Sequence, residues 1–180
     1  MKTRNRTTFS AFALLFAAAA ALPSEAAAQA PGQQCVDNPK YSEFDFWVGD
    51  WTVTNAQGNT AGTNKIEKIE KGCLLLESWT SARGGTGTSI NYWDPVAENW
   101  TQVWVSAGST IIRLQGGLKD SAMVLEGTWQ NPSGQITPMR GTWTPLEDGS
   151  VRQLFQVSND DGATWSVWFD GNYVRTDTGG

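Results

Sequence analysis

"WTQVWVSAGSTIIRLQGGLKDSAMVLEGTWQ", Trp100 to Gln130, decides the fold. Runs of Val, Ile, Leu, Thr and Trp are broken by "SAGS" and "LKDS", and no apolar set recurs at helical spacing. The stretch reads as three strands, near 100–106, 109–116 and 121–130, joined by two tight turns. The same grammar extends both ways, with strands near 50–56, 61–70, 73–81, 86–93, 135–144, 150–158 and 164–175. Between them stand "KGC", "RGGTG", "DPVAEN", "NPSG", "LEDGS" and "NDDGA". Asp, Asn and Gly there supply the local hydrogen bonds and positive φ that hairpins need. About ten strands joined by short hairpins make an antiparallel meander with no helix to cover it, and closing into a barrel removes its edges. The fold expected is all-β, a single barrel over residues 44–176, with a short helix in "PKYSEFDF" (39–46) as a plug within an N-terminal segment 29–43. Residues 177–180 read as a flexible tail.

The chain begins differently. Lys2, Arg4 and Arg6 precede the apolar run Phe9 to Leu22, followed by several Ala-x-Ala sites. Residues 1–28 read as a signal peptide cut between 26 and 30, too short to remain as a membrane span. Cys35 lacks the small-residue and Leu context of a lipoprotein anchor. Without Lys2, Arg4, Arg6 and Glu25 in that leader, 10 basic and 17 acidic residues remain, a net charge of −7. An acidic chain without basic clusters excludes nucleic acid and anionic membrane surfaces as natural partners. The expected location is periplasmic or secreted, where Cys35 and Cys73 form a disulfide closing a 38-residue loop, worth about 3–4 kcal/mol.

"SNDDGATW", Ser158 to Trp165, fits Ser-x-Asp-x-Gly-x-Thr-Trp, a spacing that resembles the aspartate box repeated in sialidase propellers. One copy between two strands is a hairpin clasp: Asp160 accepts backbone N–H bonds, Gly162 supplies the unusual φ, and Trp165 covers the turn that Ser158 and Thr164 flank. "FDFWVGDWTV", Phe44 to Val53, holds Gly49-Asp50-Trp51 at the first strand, and this Gly-x-Trp resembles the lipocalin and wider calycin signature. The resemblance implies that Trp51 plugs one barrel end and that Arg175, in "GNYVR", stacks on it. With "GCLLLESW", "GTSINYWD", "WTQVWVS" and "FDGNYVR" in order, the mature chain resembles a family of exported bacterial proteins of unknown function with a lipocalin-like barrel. The related haem-binding nitrobindins use an axial His.

This chain has no His, so no haem, no Ser-His-Asp or Cys-His site and no ordinary zinc site is expected. "RGGTGTS" leads into a strand, so it is no phosphate loop, and "NDDG" reads as a solvated turn before it reads as a Ca²⁺ site. No cofactor and no metal is assigned. Ten tryptophans remain to be explained, together with polar residues in strands that otherwise look buried. Alternation sorts the residues into an aliphatic face and a face mixing Trp with polar groups. Either face could line the lumen. Trp is a large residue to leave outside, so the mixed face is taken as a cavity wall. Its members are Glu77, Trp79, Ser89, Asn91, Gln102, Trp104, Glu126, Arg140 and Gln153. Three functions are compatible with that cavity or face. The first is a carrier of a small, partly apolar molecule; the second, an enzyme using Glu77 or Glu126 as acid or base for isomerisation or cyclisation. The third is an interaction module with an outer Trp patch.

Overall fold

A computed structural model describes residues 34–176. The leader and the tail lie outside the described residues. Ten strands follow in chain order: β1 (Gly49–Asn55), β2 (Thr60–Ile69), β3 (Leu74–Ser81), β4 (Thr86–Asp94) and β5 (Asn99–Ser106). The second half comprises β6 (Ile111–Lys119), β7 (Ala122–Gln130), β8 (Ile136–Pro145), β9 (Val151–Val157) and β10 (Ser166–Arg175). Each pairs antiparallel with its chain neighbour, and β1 pairs with β10 to close the barrel, in register from Trp51 opposite Arg175 to Asn55 opposite Gly171. Closure leaves no strand edge unpaired.

Turn chemistry sets the two rims. Gly58 N donates to Asn55 O and Gly134 N to Asn131 O, while the Asn55 and Asn131 side chains each accept from two further backbone N–H groups. The glycines close these turns at φ of +80° and +87°, where a Cβ would be strained. On the other rim the β6–β7 connection is two residues, Asp120 and Ser121, both at positive φ, which is the mirror-image turn that matches strand twist.

The segment expected to be one helix over 39–46 is two 3₁₀ turns instead, Pro39–Ser42 and Asp45–Trp47, after a single helical turn at Gln34–Asp37. Asn38 caps the first by accepting from Lys40 N, and Pro39 fits its start. Breaking the helix at Phe44 lets Phe44 and Trp47 both insert into the barrel end, fully buried. They stack on each other at 5.0 Å and meet Trp100, Trp143 and Tyr173 at ring separations between 5.3 and 6.4 Å. Lys68 holds the plug through Asp45 at 2.7 Å, and Trp100 Nε1 donates to Glu43 at 3.2 Å. Trp51 Nε1 donates to Trp47 O at 2.9 Å, and the Arg175 guanidinium lies 4.4 Å from the Trp51 ring while donating to Val48 O. Gly49 suits the place beneath it, because its φ of +145° would strain any residue with a Cβ, and a Cβ there would also have to displace Arg175 Nη1 from 2.1 Å. The disulfide Cys35–Cys73 ties the N-terminal turn to the start of β3 at this same end.

Opposite the plug lies the β9–β10 turn, clasped as the sequence suggests. Asp160 accepts from Thr164 N (2.7 Å), Thr164 Oγ1 (2.6 Å) and Ser158 Oγ (2.8 Å), and Trp165 Nε1 donates to Gly162 O. These bonds hold the exposed Asp160 carboxyl down at about 2, the Thr164 hydroxyl contributing most.

Candidate functional site

Between plug and rim the lumen has two unlike arcs. On the β6–β8 arc Ile112, Leu114, Met123, Leu125 and Met139 are buried and aliphatic. On the arc running from β9 through β10 and β1 to β5, the inward positions at mid-height are polar apart from Val53 of β1: Gln153, Tyr173, Asn64, Glu77, Ser89, Asn91 and Gln102 are all 4% exposed or less. Alternate positions on neighbouring strands bring them to one level. Their hydrogen bonds run in one direction. Gln102 Nε2 donates to Asn91 Oδ1 (2.8 Å), Asn91 Nδ2 to Ser89 Oγ (2.8 Å), and Ser89 Oγ to Glu77 Oε2 (2.6 Å). From the other side Asn64 Nδ2 donates to Glu77 Oε1 at 2.7 Å, and the Tyr173 hydroxyl donates to Gln153 Oε1.

Glu77 therefore ends a polarised chain of donors, and the chain's free ends are acceptors. Gln102 Oε1 and Asn64 Oδ1 are buried without a partner, an arrangement that costs desolvation unless something donates to them. Burial pushes the Glu77 carboxyl above the usual range, and the Ser89 and Asn64 donors pull it back only in part. The Tyr173 hydroxyl is also pushed up, by burial first and by the neighbouring Glu77 second.

Above this polar floor is a cavity of about 130 Å³. Glu77, Gln102, Gln153 and Tyr173 form its base; Trp79, Trp104, Phe155, Phe169, Trp168 and Ile112 form its walls. The rings lie along the wall because glycines sit behind them. A Cβ on Gly87 would come within 2.2 Å of the Trp104 ring, and Gly62, Gly141 and Gly171 make the same room for Trp79, Phe155 and Phe169. Rings recessed in this way leave the centre open.

Of the residues singled out by alternation, Glu77, Trp79, Ser89, Asn91, Gln102, Trp104 and Gln153 come together on the inner face. Glu126 and Arg140 do not. Leu125 and Met139 take the inward positions of β7 and β8, so the two charged residues face outward, opposite each other in register. Arg140 donates to Gln156 at 2.8 Å and stacks 4.4 Å from Trp165. The assumption that all polar strand residues share one face fails because the lumen is polar on one arc and aliphatic on the other. Asn64, Ile112, Phe155, Phe169, Trp168 and Tyr173 lie outside that set. Phe155 and Asn64 carried a signal, being two residues from the inward Gln153 and Ile66. Trp168 carried none: the β9–β10 register shifts between Val167 and Phe169, so alternation breaks there.

No family model matches the chain, and no curated protein is similar to it. The cavity therefore has to be read from its own chemistry. Its walls offer aromatic rings, its floor offers one carboxyl, the amides of Gln102 and Gln153 and the Tyr173 hydroxyl, and none of its lining residues is Lys or Arg. Among the described residues no cluster of acidic or sulfur ligands could hold a metal ion, and no helix is long and apolar enough to cross a membrane.

Proposed function

We propose that this chain is an exported carrier that holds a small, partly apolar molecule in the aromatic-walled cavity. The observation that carries this reading is the cavity itself, with apolar walls and a few convergent polar groups on one floor, the usual composition of a ligand site. Its volume is close to that of engineered protein cavities of roughly 150 Å³ that take up benzene. A ligand of one ring or a short chain fits that scale. Export is supported by the leader-like start of the sequence and by the Cys35–Cys73 disulfide, which suits an oxidising compartment. The closed barrel with Gly49-Asp50-Trp51 under Arg175 supports membership of the exported lipocalin-like family that the sequence blocks resemble.

Native mass spectrometry on protein recovered from the exporting cell's periplasmic or secreted fraction tests this. A reproducible mass above the denatured chain is expected, and it should vanish in a Trp79→Ala, Trp104→Ala double variant whose far-ultraviolet circular dichroism is unchanged. Undiminished uptake in that variant would remove the cavity as the site.

Glu77 favours a second reading, a cavity enzyme in which this buried carboxyl moves a proton. With Glu126 on the outer face, Glu77 alone remains for that role. An enzyme would lose turnover in Glu77→Gln and keep affinity for its substrate. An outer Trp patch has less support, since Trp168, at the rim, is the one exposed tryptophan of the ten.

A further inference from the structure

The cavity's hydrogen-bonding polarity narrows the ligand's chemistry. Ser89, Asn91 and Gln102 pass donors along one line toward the Glu77 carboxyl, while the Gln153 amide nitrogen, whose carbonyl accepts from Tyr173, is a donor the floor keeps. Beside Glu77 the line leaves acceptor capacity: Gln102 Oε1, 1% exposed by residue and unpartnered, together with the remaining lone pairs of the Glu77 carboxyl. The Tyr173 hydroxyl, the other titratable group on the floor, donates away to Gln153. No cation among the lining residues balances Glu77. A buried carboxylate without a counter-charge is expensive; burial favours its neutral form, the Ser89 and Asn64 donors offset that only in part, and a cation beside it would hold it ionised. The cavity above it is lined by the rings of Trp79, Trp104, Phe155, Phe169 and Trp168, and the π-cloud of an aromatic face attracts positive charge and repels negative charge.

On the cavity reading above, we infer that the ligand is a small organic ammonium ion. Its N–H groups meet Glu77 and Gln102, and its carbons lie among the indole and phenyl rings. Anionic ligands are disfavoured twice, by the carboxylate and by the ring faces. A neutral molecule of the same shape gains the apolar contacts and forgoes the charge-assisted bonds. The missing counter-charge comes with the ligand.

Three probes of one size and different charge separate these cases: benzylammonium, benzyl alcohol and benzoate, titrated calorimetrically into the full chain at neutral pH. Benzylammonium should bind at least about tenfold more tightly than benzyl alcohol, with benzoate weakest. Glu77→Gln should erase that preference. Should the variant fail to fold, the wild-type protein answers instead. The preference should fade as pH drops and Glu77 takes up its proton, beginning above the ordinary carboxylate range because burial has raised it. Equal or tighter binding of benzyl alcohol or benzoate, or a preference that survives Glu77→Gln or acidification, would overturn the ammonium assignment and leave the cavity a binding site. Binding of none of the three would overturn both.

Discussion

At the closed end Trp47, Trp51, Trp100 and Trp143 are each 1% exposed or less and pack against Phe44, Tyr173 and one another. At the open end Trp79, Trp104 and Trp129 are only partly buried, Trp168 is 42% exposed, and a cavity lies among Trp79, Trp104 and Trp168. The same side chain serves two purposes. Where the 3₁₀ plug supplies Phe44 and Trp47 to fill the lumen, tryptophan is core. Where glycines recess the rings and nothing descends between them, tryptophan is wall. One end holds the fold together and the other leaves room, so substitutions at the two ends should separate stability from binding.

The largest effect belongs to the plug. Trp143→Ala empties a filled site and should lower stability by about 3–5 kcal/mol in chemical denaturation. Cys35→Ser with Cys73→Ser unties the plug from β3 and should lower stability by about 3–4 kcal/mol, read as a shift in denaturation midpoint with the barrel's circular dichroism retained. Trp104→Ala at the mouth should cost only about 1–2 kcal/mol, since its ring already borders open space, yet it should abolish probe uptake. A loss as large as that of Trp143→Ala would erase the distinction between the ends. Arg175→Ala removes the cation over Trp51 and should cost about 0.5–1 kcal/mol, seen as a small drop in Tm.

The smallest effect lies in the rim clasp and depends on pH. The folded Asp160 carboxyl sits at about 2, below its ordinary value near 4, so its stabilising bonds are complete above roughly pH 4 and are lost as pH falls toward 2. The protection of the Thr164 amide against hydrogen exchange, relative to its intrinsic rate at each pH, should therefore fall over that window, and Asp160→Asn should flatten the response. Glu77 has the opposite sign. Its raised carboxyl costs the ligand-free fold stability as pH rises through its range, so Glu77→Gln should gain Tm relative to wild type at neutral pH and lose that gain in acid.

Much of this was legible in the sequence. Strand after strand was marked by turn residues whose φ and side-chain bonds the structure displays, as at Asn131 and Gly134. The polar wall of β3, β4 and β5 was legible too, because alternation holds wherever the pairing is regular. It failed at Glu126 and Arg140, since residue type alone cannot say that a closed lumen changes character around its circumference. It failed at Trp168, where a shift in register breaks the period. Nothing in "PKYSEFDF" announces that burying both Phe44 and Trp47 needs two short turns in place of one helix.

The most direct test of the two-ended barrel is an NMR titration that follows the ten indole N–H signals while benzylammonium is added. The signals of Trp79, Trp104 and Trp168 should move, and those of Trp47, Trp51 and Trp143 should stay fixed. No movement at the mouth, or movement at the plug alone, would contradict the account.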